Sequence, residues 1–207
     1  MTFSTVSQMF NKVTNEHLNR ELYFYKKTGD WKGISGKEIR STVKDIAFGL
    51  QSLGISKGSN VALVSNNSPW WAMSDYGIIC SGAATVSVYP TLIPSQVEYI
   101  LKDSNSIVVF VEGQEQMAKI VEIWGNCPKL THAIVMDDSH SETADNIINF
   151  IDFLDLGTKH EEETGSSLED LVGKPKPDDL LTLIYTSGTT GNPKGVKLTH
   201  GNMMSNV

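Results

Sequence analysis

Hydrophobic and polar positions alternate between two periods along most of the chain. The first clear element opens at Ser35, where Ser35 and Glu38 stand at the S-x-x-E spacing of a capping box and Ile34 and Ile39 can staple it. Ile39, Val43, Ile46, Leu50 and Leu53 then recur at steps of four and three, which marks one face of a helix. Gly54 supplies a left-handed stop. Ahead of it, Phe10, Val13 and Leu18 predict a short helix, and residues 22–25 a short strand. Residues 61–64 are a short apolar run, expected as a buried strand. Asn66 and Asn67 mark a turn, and Ser68 is placed to cap a helix with Pro69 at its first position. Trp70, Trp71, Met73, Tyr76, Ile79 and Cys80 crowd most of that helix, as in helices buried between layers.

The alternation continues. Residues 85–89 read as a strand, and Ser95 with Glu98 as a second capping box opening a helix through Leu101. Residues 107–111 read as a strand. The next helix places Met117, Ile120, Val121 and Trp124 on one face and ends near Gly125; residues 133–136 read as another strand. Strands alternating with helices predict an α/β fold with a mainly parallel sheet and flanking helices. From 137 to 179 the chain turns polar and acidic, with the run Glu161, Glu162, Glu163, short helices expected at 147–156 and around 168–172, and Lys174-Pro175-Lys176-Pro177 breaking regular structure. The expected organisation is a first α/β subdomain over 1–136, a polar connector over 137–179, and the start of a second subdomain over 180–207. The acid run reads as a solvated face rather than a metal site.

Composition narrows the function classes. With 40% hydrophobic and 20% charged residues, the chain of 207 suits a globular protein with a sizeable core. Acids outnumber bases 24 to 17, a net charge of −7, and the arginines are Arg20 and Arg40 alone. That balance argues against nucleic acid as a partner. It also means that a site for an anionic nucleotide must supply its own local positive charge. Cys80 and Cys127 have no metal-like spacing and read as reduced thiols in a cytoplasmic protein. The N-terminus lacks the charged and apolar regions of a secretory signal. The longest weakly polar stretch, 76–88, is too short to span a bilayer. Peripheral membrane contact stays open.

The densest candidate chemistry follows residues 180–185, a run that reads as a strand. Thr186-Ser187-Gly188-Thr189-Thr190-Gly191-Asn192-Pro193-Lys194-Gly195-Val196 packs hydroxyls, three glycines and a lysine into eleven positions. Glycines let successive N–H groups point into one concavity, a nest for anions. Ser187, Thr189 and Thr190 add hydroxyl donors, and Lys194 adds a mobile charge that can reach phosphate oxygens. The pattern suits a triphosphate whose charge moves onto leaving pyrophosphate; each donor aimed at developing charge is worth roughly 3 kcal/mol. The loop departs from the Walker pattern G-x-x-x-x-G-K-[ST]: counted from Gly188, position 193 is proline and 195 is glycine. Val196, Lys197 and Leu198 read as a second strand, so the element is strand–loop–strand. His200 reads as the start of a final helix beside a Thr199 cap, without a catalytic role.

The string Y-T-S-G-T-T-G-N-P-K-G-V-K-L-T-H-G-N, residues 185–202, resembles the signature of the adenylate-forming superfamily, which includes acyl-CoA synthetases, luciferases and peptide-synthetase adenylation domains. Asn67-Ser68-Pro69-Trp70-Trp71 and Val88-Tyr89-Pro90-Thr91 resemble segments of its long-chain fatty acyl-CoA synthetase branch. The resemblance runs from about residue 34 to 207 and implies the N-terminal part of such a fold. It implies two half-reactions: a fatty carboxylate attacks the α-phosphate of ATP, and CoA then displaces AMP. It implies that Thr186, Ser187, Gly188, Thr189, Thr190, Gly191 and Lys194 hold the β- and γ-phosphates, with Mg2+ bridging them. An aryl- or medium-chain acid ligase and a non-catalytic nucleotide-binding remnant stay as alternatives; a P-loop kinase is disfavoured by Pro193, Gly195 and the strand after the loop.

By the same resemblance the acyl-pocket motif, the acidic segment that helps place magnesium, the ribose-binding aspartate and the catalytic lysine lie beyond Val207. An exposed apolar edge around the loop strands and a tendency to associate are expected with it. The purified 207-residue chain is therefore expected to show no acyl-dependent ATP–pyrophosphate exchange; clear turnover would contradict this reading.

Overall fold

The apolar runs of four or five residues become the centre of one sheet, and the amphipathic stretches become its two helical layers. In the computed structural model, residues 3–137, 144–186 and 192–207 are described. The chain begins with α1 (Val6–Glu16), a hairpin of β1 (Glu21–Lys27) and β2 (Asp30–Ser35), and α2 (Gly36–Ser52). Then come β3 (Asn60–Val64), α3 (Pro69–Ser81), β4 (Ala84–Val88), α4 (Pro94–Asp103), β5 (Val108–Val111), α5 (Gln114–Ile123) and β6 (His132–Val135). The remainder supplies β7 (Ile147–Asn149), α6 (Phe150–Thr164), α7 (Leu168–Val172), β8 (Leu180–Thr186), β9 (Lys194–Thr199) and α8 (His200–Met204).

Among the described residues, seven strands pair in the order β7-β6-β5-β3-β4-β8-β9. All neighbours run parallel except β8 and β9, which are antiparallel. A parallel sheet of this kind is covered on both faces, so its central strands have no polar side. Val61 and Leu63 of β3 enter a core formed with α2, α3 and α6, while Ala62 and Val64 enter the opposite core with α4 and α5. The expected α/β class and mainly parallel sheet are what the chain adopts.

Local signals at helix starts explain most boundaries. Ser35 accepts from Glu38 N at 3.3 Å while Glu38 Oε2 accepts from Ser35 N at 2.8 Å, closing the capping box that opens α2. Gly54 adopts φ +80° just past its end. Ser68 caps α3 through Trp71 N at 3.1 Å, with Pro69 in the first turn. As its composition predicts, α3 lies between layers, with Met73, Ile78 and Cys80 buried in one cluster and Ile79 in another. Cys80 and Cys127 are both free and buried, and burial pushes both thiols above their ordinary range.

Several expectations need correction. Ser95 does not cap α4: Pro94 takes the first helical position, where its missing N–H costs nothing, and Gln96 Oε1 accepts from Ile93 N at 3.4 Å. Glu98 instead accepts from Asn126 at 3.0 Å and pairs with Lys102 at 3.3 Å. Val121 faces solvent at 52% exposure; Met117, Ile120 and Ile123 line the inner face of α5, and Trp124 opens a short 3-10 turn. Residues 147–149 form a strand rather than a helix. Asn149 Oδ1 accepts from Asp152 N at 2.9 Å as the cap of α6, so the helix begins only at Phe150. Ile147 and Ile148 extend the sheet beside β6 instead. The stretch expected as a connector thus contributes an edge strand and α6, whose Phe153 is fully buried beside Phe110.

The contact of α6 with α2 is a backbone approach. A Cβ placed on Gly157 would lie 1.8 Å from Asp45 O, and one on Gly49 would lie 2.8 Å from the Phe153 ring. Neither glycine can gain a methyl unless the helices part. Gly157→Ala is expected to lower the unfolding free energy by about 3 kcal/mol, the upper range for overpacking, because backbone and not a flexible side chain must yield. Urea denaturation of the variant and the parent checks this.

Candidate functional site

The hydroxyl- and glycine-rich segment is rooted in β8 and β9. In β8, Leu181, Leu183 and Tyr185 are buried while Thr186 at its end is exposed. The strand is fixed on one side by parallel pairing with β4, Thr85 opposite Thr182 and Ser87 opposite Ile184. Thr182 Oγ1 adds a side-chain bond across that ladder, donating to Thr85 O at 2.9 Å. On its other side β8 pairs antiparallel with β9, and the last pair before the loop is Thr186 with Lys194. Both residues are exposed. The ladder therefore brings together two of the seven sequence-predicted phosphate ligands; Ser187, Gly188, Thr189, Thr190 and Gly191 lie outside the described residues.

The root is held from beneath. Tyr185 donates its hydroxyl to Asp103 Oδ2 at 2.6 Å, joining the end of β8 to the end of α4. Burial, then the Asp103 carboxylate beside it, pushes this phenol well above its ordinary range, so it stays a donor. Opposite Tyr185 in the ladder sits Gly195, where a Cβ would come within 3.1 Å of the Tyr185 ring. The ring, not a special φ, favours glycine there. Next to Lys194, then, the strand lies flat on an aromatic plate that is itself hydrogen-bonded to a helix.

His200 follows β9 and behaves as structure. Thr199 caps α8 through Asn202 N at 3.1 Å, as the sequence suggests. His200 is buried, its backbone N–H reaches Asp179 O at 3.1 Å, and its Nδ1 accepts from Val6 N at 3.2 Å. The ring nitrogen thus satisfies an otherwise orphaned N–H in the first turn of α1. Burial holds the imidazole below its ordinary range, with Asp179 opposing.

A cavity of about 310 Å3 opens at the carboxyl ends of β3, β4 and β8. Ser65 and Asn67 border it after β3, Ser87 to Tyr89 at the end of β4, Ile184 and Tyr185 from β8, and Trp71 from α3. The carboxyl edge of a parallel sheet is where open α/β folds bind ligands, because loops and helix N-termini converge there. A wider cleft of about 640 Å3 lies between β1 and the start of α3, lined by residues 22–26, 67–70 and 72. Ser65 and Ser87 were not legible as site residues: each is a single serine near the end of an apolar strand, and only the pairing of β3, β4 and β8 makes them neighbours. Among the described residues no group of three or more carboxylate, imidazole or thiol side chains offers a cage for a metal ion.

The chain is similar to known proteins over nearly its whole length. A family model described as "AMP-binding enzyme" matches residues 10–207. The long-chain-fatty-acid–CoA ligase ACSBG1 of Rattus norvegicus is 31% identical over 199 residues, which is 96% of this chain and 27% of that protein. The long-chain-fatty-acid–CoA ligase FadD15 of Mycobacterium bovis is 30% identical over 184 residues, 86% of this chain and 28% of that one. This chain therefore spans little more than a quarter of the length of the curated relatives it matches. Among solved structures, the anthranilate CoA ligase AuaEII in complex with anthranoyl-AMP shares the fold at a TM-score of 0.80 and 24% identity, over 97% of this chain and 35% of that one. A Mycobacterium tuberculosis fatty acyl CoA synthetase gives a TM-score of 0.70 at 25% identity, over 95% of this chain and 35% of its own.

The His200 contact has a pH signature. Its folded pKa lies below the unfolded value of about 6.5, so its contribution to stability is present above that value and is lost as pH falls through the folded pKa. His200→Asn can keep an acceptor for the Val6 N–H but cannot titrate. As pH is lowered from 7.5 to 5, the parent is expected to lose stability relative to this variant. Thermal melts of both across that range check it.

Proposed function

Since the chain belongs to the AMP-binding enzyme family, we propose that it forms the triphosphate-binding part of a long-chain fatty acid–CoA ligase. The observation that carries this reading is the exposed Thr186–Lys194 pair at the open end of β8–β9, next to the cavity at the carboxyl edge of the sheet. Thr186, Ser187, Gly188, Thr189, Thr190, Gly191 and Lys194 would hold the β- and γ-phosphates of ATP.

The chemistry asks little of the protein by way of proton transfer. A fatty carboxylate is already ionised at neutral pH and attacks the α-phosphorus directly. The α–β phosphoanhydride bond breaks, the acyl-adenylate forms, and pyrophosphate leaves with the charge. What the site must supply is in-line positioning and donors for the leaving group. A lysine with loop N–H groups and hydroxyls is a donor set of that kind. Mg2+ would be held through the phosphate oxygens and would offset charge on the leaving pyrophosphate. CoA would enter as the second substrate and displace AMP as a thiol. The cavity beside Tyr185 combines Trp71, Val88, Tyr89 and Ile184 with three small polar residues, a lining that suits the less polar part of a bound acyl-adenylate.

Such a ligase would work in the cytoplasm in peripheral contact with membrane, where long-chain fatty acids partition. No helix among the described residues is long and apolar enough to cross a bilayer.

Titration calorimetry with ATP–Mg2+ tests the assignment on this chain. Lys194→Ala is expected to weaken ATP binding at least tenfold, the weight of one charge-assisted hydrogen bond of about 1.5–3 kcal/mol. Equal affinities for parent and variant would remove Lys194 from the site.

A further inference from the structure

The β1–β2 hairpin stands apart from the seven-stranded sheet as a sheet of its own. Its inner side rests on the fold: Leu22 and Tyr23 pack against the core, and Tyr25 meets Trp70 edge-on at 5.0 Å. The ladder fixes what faces outward. Lys26 lies opposite Trp31 and Phe24 opposite Gly33, so Phe24, Lys26 and Trp31 share the outer face. Trp31 is 67% exposed and Phe24 55%. Both central residues of the connecting turn, Thr28 and Gly29, have positive φ (53° and 97°), the backbone of a tight two-residue hairpin turn that holds the strands in register.

Charge is concentrated on the same segment. Residues 20–37 contain five of the chain's 17 basic residues and two of its 24 acids, a local +3 in a chain of −7. Lys26 Nζ sits 5.4 Å from the centre of the Trp31 ring, so the cation and the indole form one unit. Aromatic rings with a flanking lysine suit an interface where one side is apolar and the other carries negative charge. A second protein fits less well. Stable protein interfaces bury about 800 Å2 on each partner, more than one face of a hairpin of seven and six residues can offer.

We propose that the outer face of the β1–β2 hairpin is a lipid-docking surface that inserts Phe24 and Trp31 at the headgroup level of an anionic bilayer, with Lys26 on the lipid phosphates and carboxylates. The inference deepens the membrane part of the proposed function and rests on it. It is independent of the nucleotide chemistry, because vesicle binding needs neither ATP nor fatty acid. Glu21, whose side chain lies over Gly33 on this face, is the built-in opponent of anionic lipid.

Sedimentation of the 207-residue chain with sucrose-loaded vesicles, phosphatidylcholine alone or with about a third phosphatidylserine, tests it. Binding to the anionic vesicles is expected to exceed binding to neutral ones at least tenfold and to fall with salt. Phe24→Ser with Trp31→Ser should lower it about tenfold or more. Lys26→Gln should cost about fivefold on anionic vesicles only, and Glu21→Gln should strengthen binding. Unchanged circular dichroism and melting temperature would show that these exposed substitutions leave the fold intact, and Lys194→Ala should bind vesicles like the parent. Equal binding to both vesicle types would overturn the proposal. So would insensitivity to the aromatic substitutions. Concentration-dependent dimerisation that Trp31→Ser abolishes in sedimentation velocity would assign the face to a second copy instead.

Discussion

The pairing of β8 with β4 is the constraint from which the candidate site follows. It joins segments 97 residues apart, and Thr182 adds its hydroxyl to the ladder at Thr85 O. Once that register is set, the end of β8 must emerge at the carboxyl edge of the sheet, level with the ends of β3 and β4. The loop after Thr186 then starts beside the cavity lined by Ser65, Ser87 and Tyr89. Every other support works to hold this root still: Tyr185 tied to Asp103, Gly195 flat on the Tyr185 ring, and His200 receiving the Val6 N–H. Anion-binding loops need such rigidity, because donors that must reorganise around the charge lose much of their effect.

A chain of net charge −7 would repel both a nucleotide and an anionic surface. Binding of either, as proposed, would rest on local positive groups. Lys194 stands at the mouth of the loop, and Lys26 is stacked on an exposed indole. Three of the other cations are spent inside the fold: Arg40 bonds Asn11, Thr14 and Glu169, Lys44 pairs with Glu161, and Lys119 donates to the carbonyls of Pro90 and Leu92 at 2.6 and 3.1 Å.

What was legible in the sequence was local. The start of α2 could be read because a capping box and a staple are set by residues three to five apart, and the hydroxyl- and glycine-rich segment after β8 stands out because its residues are contiguous. What was not legible depended on neighbours distant in the chain. Ile147 and Ile148 carry no mark distinguishing strand from helix until β6 offers an edge. The strand β2 is largely polar and exposed at its start and is defined by its partner β1. Val121 fits a helical stripe on paper, yet the inward direction of α5 is set by where β6 and α4 lie, and Ile123 takes the place it seemed to hold. Ser95 has no capping role because Pro94 takes the first helical position and leaves Ile93 at the cap. At the site, the loop was visible and the cavity was not, since Ser65, Ser87 and Ile184 meet only through strand order.

The long-range β4–β8 register also governs how the protein can be made. On a ribosome, β4 emerges well before its partner, and at about 5–20 residues per second the wait is roughly 5–20 s. During that time the edge of β4 that faces β8 presents unpaired N–H and C=O groups next to apolar side chains such as Val86 and Val88, which end fully buried. A nascent chain in that state is a template for pairing with another copy. Slower translation over residues 89–179 would lengthen that exposure rather than relieve it.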